Sequence, residues 1–177
     1  MSRTLERLLA LNTSPAICGI KASNLICIDY DESLYNEIEE LNRKYSKLCF
    51  YVLKKTDSKV LILVYRKNVF EKLLYKEDRI SFLNELGYDT TSIDNMLIDL
   101  KEKLTFKDFP HEIGVFLGYD LDDIKSFIDG KKCIYVGYWQ VYSKLNEKLE
   151  TFNKYTKCRE CVTNLIDRGF PLENFMR

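Results

Sequence analysis

Between Asp31 and Leu48 the apolar positions Leu34, Ile38, Leu41, Tyr45 and Leu48 step by four, three, four and three residues. That spacing puts them on one face of a helix, and Asp31 stands where an N-cap carboxylate would close it. The pattern then changes period. Residues 47–54 and 59–65 are rich in β-branched and aromatic side chains, and Lys55-Thr56-Asp57-Ser58 separates them, so together they predict an antiparallel hairpin. Leu61-Ile62-Leu63-Val64 is apolar without alternation, as expected of a strand covered on both faces in the middle of a sheet. Residues 24–29 and 133–142 predict two further strands of the same sheet.

Helical spacing occupies most of the rest. Residues 4–11 predict a short amphipathic helix broken by Asn12-Thr13-Ser14-Pro15. Residues 68–75 and 78–86 predict two more, the second stopped by Gly87, and Thr91 opens another that carries Ile93, Leu97, Leu100 and Leu104. A long C-terminal helix follows over 143–168, striped by Leu145, Leu149, Phe152, Tyr155, Cys158, Val162 and Leu165 and ended by Gly169. The chain therefore reads as α+β: a small, mainly antiparallel sheet packed by helices, with a long C-terminal helix, in a single domain over residues 1–177. No internal repeat, low-complexity segment or linker divides it.

The stretch 109–142 holds the candidate chemistry. Pro110 suits the first position of a helix, which sets His111 and Glu112 in the first turn, where unpaired N–H groups favour a carboxylate or a bound anion. Ile113, Phe116 and Leu117 give that helix an apolar face, and Gly118 ends it. Asp120 then caps a second helix, with Asp123 three residues on as in a capping box; Leu121, Ile124, Phe127 and Ile128 form its buried stripe and Gly130 its stop. Gly137, in the middle of the expected last strand, marks a bulge or the close approach of another backbone or a ligand.

Composition changes this picture by exclusion. With 177 residues, 46% apolar and 31% charged, the chain is long enough to bury a core without disulfides or metal. Lys plus Arg equals Asp plus Glu at 27 each, so no net field draws it to nucleic acid, and the acidic residues Asp120, Asp122, Asp123 and Asp129 oppose a helix-turn-helix DNA reader. No apolar run spans a bilayer and none resembles a signal peptide, so a cytoplasmic protein without membrane contact is expected. Its six cysteines are then expected to be thiols, or ligands in some cases.

Each candidate has a bland alternative. Lys21 is either a snorkelling surface lysine or an anion contact beside a Gly-containing turn. Cys158-Arg159-Glu160-Cys161 has CxxC spacing but lies inside a helix whose stripe includes Cys158; it reads as structural, as does Cys133, and no metal site is expected. His111 and Glu112 are either an acid–base pair, possible also as a haem or metal ligand through a neutral ring nitrogen, or a helix start satisfied by backbone. Valine at position 115 rules out an HExxH zinc-protease motif. Tyr135, Tyr138, Trp139 and Tyr142 line either a pocket for a flat ligand or the core.

Phe109-Pro110-His111-Glu112-Ile113-Gly114-Val115-Phe116-Leu117-Gly118-Tyr119 and Gly137-Tyr138-Trp139-Gln140-Val141-Tyr142 resemble the uncharacterised domain-of-unknown-function family 3793 of anaerobic Gram-positive bacteria. Ser14-Pro15-Ala16-Ile17-Cys18-Gly19-Ile20-Lys21 is similar to that family's N-terminal Pro, Gly and Lys pattern, and Lys157-Cys158 to its C-terminal Lys-Cys. The sequence departs from the family at Gln140, where lysine is usual, and at Cys161. The resemblance implies one cytoplasmic domain and carries no activity.

The leading expectation is a cytoplasmic protein that binds a small ligand or cofactor, of unknown identity, through Lys21, His111, Gly137, Tyr138 and Tyr142. One rival is an enzyme using His111 and Glu112 for proton transfer. A second is a structural or regulatory protein-interaction domain.

Overall fold

A computed structural model describes residues 1–106 and 109–177. The chain divides into two compact units, the first made of residues 1–70 and 157–177, the second of residues 71–156.

The first unit is built on a three-stranded antiparallel sheet in the order β1-β3-β2, with β1 at Ser23–Asp29, β2 at Leu48–Lys55 and β3 at Lys59–Arg66. As its unbroken apolar run demands, β3 is the central strand, and Ile62, Leu63 and Val64 are all buried. The β2–β3 turn is closed by Thr56, whose N–H donates to Lys59 O at 2.8 Å. Helix α2 (Glu32–Lys44) starts where expected: the Asp31 side chain accepts from Leu34 N at 2.9 Å. It buries Ile38 and Leu41, while Leu48, expected on the same stripe, opens β2 instead. Asn42 ties α2 to the sheet by donating to Phe50 O and accepting from Phe50 N. Ile26, Ile28, Phe50, Val60, Ile62 and Val64 form one core cluster with Leu5, Leu9, Ile38, Leu41, Val162 and Ile166.

Helix α1 (Arg3–Ile17) runs through the expected break. Pro15 sits in its last turn, where the N–H of the next residue, Ala16, is satisfied from outside the helix. Thr13 Oγ1 and Ser14 Oγ donate to the carbonyls of Leu9 and Ala10, and Ala16 N–H donates to Asn24 Oδ1 at 3.1 Å.

The second unit is mostly helical. After α3 (Lys67–Leu74), whose residues from 71 onward belong to this unit, come α4 (Glu77–Glu85), α5 (Ile93–Lys103), α6 (Ile113–Phe116) and α7 (Leu121–Ile128). Ser92, not Thr91, caps α5, accepting from Asn95 N at 3.1 Å. Arg79 on α4 is buried and donates to Val115 O and Tyr119 O, holding α4 to the end of α6.

The expected fourth strand is a correction. Residues 133–142 do not join the three-stranded sheet. They fold on themselves as a hairpin, β4 (Tyr135–Val136) against β5 (Gln140–Val141). Apolar content misled here: Ile134 and Val136 are 57% and 67% exposed, and within the hairpin only Val141 is fully buried. Helix α8 (Leu145–Asp167) completes the chain and contributes to both units. Among the described residues no helix is long and apolar enough to cross a membrane.

Candidate functional site

Helices α6 and α7 are joined by a turn at Gly118, whose φ of +75° suits a residue without a side chain. Against them lies the β4–β5 hairpin, and the three elements form a half-open cavity of about 210 Å³. Ile113 and Gly114 from α6, Tyr119 after it, and Asp123, Ile124 and Phe127 from α7 line two sides. Phe109 and His111 stand at one edge, Trp139 and Gln140 at the other. Gly114 sets the wall thickness, since a Cβ there would lie 3.0 Å from both Ile124 and Tyr119.

Aromatic rings make up half of the lining residues. Tyr119 stacks on Trp139 with centroids 4.7 Å apart, and the His111 ring meets Phe127 edge to face at 4.9 Å. Phe109 and Phe127 are exposed at the rim.

The residue that holds this geometry is Asp123, which sequence reasoning assigned to a capping box. The Asp120 side chain does the capping, accepting from Asp122 N at 3.1 Å. Asp123 is 1% exposed and points across to the hairpin, where its two carboxylate oxygens accept from Trp139 Nε1 and from Tyr142 N, each at 2.8 Å. Lys148 on α8, also buried, lies 3.5 Å from Asp123 and hydrogen-bonds Asp120. Burial opposes ionisation of Asp120, but the hydrogen bond and charge of Lys148 outweigh it and hold that carboxyl below its usual value. The clue in the sequence was an acidic residue at an apolar position of α7, followed by a lone tryptophan that needs an acceptor.

The structure distributes the expected site residues unevenly. His111 is exposed and faces the cavity. Glu112 does not line it: its Oε1 accepts from the Tyr88 hydroxyl at 3.0 Å and lies 4.0 Å from Lys103 Nζ. Burial, then the charge of Glu112, pushes the Tyr88 hydroxyl far above its ordinary pKa, so it remains a donor. The anion cradle expected at Pro110 is not formed by the first turn, because the N–H groups of Ile113, Gly114 and Val115 are taken by the carbonyls of Pro110, His111 and Glu112.

Gly137 and Tyr138 form the hairpin turn beside the cavity, not its wall. The close approach foreseen at Gly137 comes from a side chain: a Cβ there would overlap the Phe152 ring. Gly137→Ala is accordingly expected to cost about 1–3 kcal/mol through overpacking, read as a lower urea midpoint; an unchanged midpoint would show that Phe152 moves aside freely. Tyr138 packs on Phe152 and Tyr155, and its hydroxyl is 3.2 Å from Thr156 Oγ1. The Tyr142 hydroxyl donates to Gln140 Oε1.

Lys21 belongs to the first unit, whereas His111, Gly137, Tyr138 and Tyr142 belong to the second. It is not a snorkelling surface residue. Only 4% is exposed, and burial lowers its amine pKa to about 8. Cys161 is exposed, whereas Cys158 is half-buried against the first unit's core. Among the described residues no group of three or more His, Cys, Asp or Glu side chains is arranged to hold a metal ion.

No curated protein and no solved structure matches the chain. The sequence profile of the family described as "Protein of unknown function (DUF3793)" matches residues 9–176, nearly the whole chain, and the protein belongs to that family.

Proposed function

We propose that this protein is a cytoplasmic binder of a small, flat, largely apolar molecule, held in the aromatic cavity of the second unit. The observation that carries this reading is the cavity itself, walled by Tyr119, Phe127 and Trp139 with Phe109 and His111 at its edge. An apolar cavity of about 150 Å³ suffices for benzene, so about 210 Å³ suits one or two fused rings and is small for a dinucleotide or haem. The aromatic lining of Tyr119, Phe127 and Trp139 favours a planar ligand. His111 and Gln140 supply the polar contacts, because the oxygens of Asp123 are already taken by Trp139 and Tyr142. Proton transfer by His111 with Glu112 is the weaker reading, since the carboxylate is engaged by Tyr88 and Lys103.

The sole tryptophan provides the test. Its Nε1–H signal in a proton–nitrogen correlation spectrum reports on one edge of the cavity. Titration with 2-naphthol, a flat bicycle with one hydroxyl, is expected to shift that signal saturably, with a dissociation constant on the order of 0.1–1 mM. Cyclohexanol should shift it far less. Phe127→Ala, at a rim residue whose truncation spares the core, should weaken 2-naphthol about ten-fold. Absence of a saturable shift, or equal binding by Phe127→Ala, would refute the reading.

A further inference from the structure

The polar groups on the cavity wall differ in what their neighbours leave free. Among the described lining residues Asp123 supplies the only carboxylate, and it is committed: Oδ2 accepts from Trp139 Nε1 and Oδ1 from Tyr142 N, each at 2.8 Å, with Lys148 Nζ 3.5 Å from Oδ2. The first of these bonds also uses the one N–H of the indole. Gln140 is committed by half. Its Oε1 accepts from the Tyr142 hydroxyl at 2.9 Å, while its amide nitrogen, with two N–H groups, donates to nothing among the described residues. The Tyr142 hydroxyl decides which end of the amide is which, because burial raises its pKa and a phenol that keeps its proton is a stronger donor than acceptor. Tyr119 lines the wall with its ring stacked on Trp139, and burial keeps its hydroxyl protonated as well. His111, exposed at the rim, donates through a ring nitrogen whether neutral or charged.

Resting on the binding role argued above, we propose that the ligand is a flat, neutral bicyclic compound with a ring carbonyl, and that Gln140 selects it. The carbonyl oxygen accepts from the Gln140 amide at the mouth of the cavity, and the rings lie among Tyr119, Phe127 and Trp139. Quinones, lactones and cyclic ketones share this chemistry.

The selection follows from which groups are left without partners. A ring that offers only an N–H meets the Gln140 amide donor to donor, and it exchanges water for a wall whose carboxylate is already engaged. An unpaired polar group taken out of water costs more than a typical hydrogen bond returns, so such a ring is disfavoured twice. A ring carbonyl replaces its water with an amide N–H and leaves no donor of its own stranded. The charge of the ligand is limited by the same wall. Among the described residues no lysine or arginine lines the cavity, and its interior is closed by the buried Ile113, Gly114 and Ile124. A carboxylate would give up its hydration there without a fixed cation in return, whereas a neutral carbonyl gives up far less. Gln140 is itself exposed, so its amide reaches the ligand at the open side and serves as a specificity residue without bearing on the core.

Two bicyclic probes separate the cases: chromone, which carries a ring carbonyl and no donor, and indole, which carries an N–H and no carbonyl. Each is titrated into the full chain alongside 2-naphthol, with the Trp139 Nε1–H signal as the readout. Chromone is expected to bind wild type at least about five-fold more tightly than indole. Gln140→Glu keeps an acceptor for the Tyr142 hydroxyl and removes the amide donors. In that variant chromone should weaken about five- to ten-fold while indole holds or gains. Comparing the chromone-to-indole ratio between the two proteins cancels the difference in size between the probes. Saturable binding of 2-naphthol with chromone no tighter than indole, or with a ratio that Gln140→Glu leaves unchanged, overturns the carbonyl proposal and spares the binding role. No saturable shift with any of the three overturns both. The wild-type ratio decides the question even where the variant does not fold.

Discussion

Asp123→Ala is expected to cost about 3–5 kcal/mol, the range for removing one partner of a buried ionic cluster. Three groups lose an acceptor at once: the Trp139 indole N–H, the Tyr142 backbone N–H, and Lys148, which keeps its bond to Asp120. The hairpin is the element released. It has only two bridged residue pairs, Tyr135 with Val141 and Val136 with Gln140, far too few to stand alone in water. Tryptophan emission should therefore shift to the red, and the Tyr142 amide should exchange faster with solvent. Asp123→Asn should also destabilise, because the amide nitrogen puts a donor where an N–H already points. Replacing Lys148 by Met in the Asp123→Ala background should recover part of the loss by removing a poorly paired buried ammonium. A cost under about 1 kcal/mol with unchanged emission would mean that the aromatic packing of Tyr119, Trp139 and Phe152 holds the hairpin without the carboxylate.

The second large effect concerns pH. Burial lowers the Lys21 amine from 10.5 to about 8, a penalty on the charged form of roughly 3 kcal/mol. Between those two values the folded protein holds this amine neutral while the unfolded chain still protonates it. More protons are then bound in the unfolded state, so the contribution of Lys21 to stability rises with pH across that window and is flat below it. Lys21→Met removes the titration. The stability difference between variant and wild type is expected to be constant below pH 8 and to move in favour of wild type by roughly 3 kcal/mol between pH 8 and 10.5. Tyr88 and Tyr155, whose hydroxyl pKa values burial raises, lower stability at the alkaline end in both proteins and cancel in the difference. Denaturant unfolding of the two proteins from pH 7 to 10.5 makes the comparison; a difference independent of pH would show that Lys21 keeps its charge when folded.

Features decided within a few residues were legible in the sequence. The Asp31 cap, the turn at Thr56 and the doubly covered strand around Leu63 depend on neighbours in the chain or on an unbroken apolar run, and the structure has all three. Features decided at a distance were not. Asp123 fits a local capping pattern, but its partners Trp139 and Tyr142 lie 16 and 19 residues further on, and the buried ion pair outweighs a solvent-exposed cap. Pro15 signals a break, yet Asn24, eight residues from Ala16, supplies an acceptor that lets the helix continue. Residues 133–142 have strand-like composition, but composition does not say whether a strand joins a sheet or pairs with itself. The candidate site shares this limit: both of its segments stood out, but Trp139 and Gln140 face the cavity while Gly137 and Tyr138 turn to Phe152.

The first unit is assembled from both ends of the chain, with the second inserted between residues 70 and 157. On a ribosome adding about 5–20 residues per second, residues 71–156 are available as one contiguous piece before residues 157–177 are made. The sheet of the first unit, made first, must wait for Val162, Ile166, Leu172 and Met176 to cover its core. During that interval its apolar face is open, and both outer strands, β1 and β2, offer unpaired edges to other chains. Termination anywhere after residue 70 and before residue 157 would thus yield an aggregation-prone fragment, which makes the synthesis of residues 157–177 the step that decides yield.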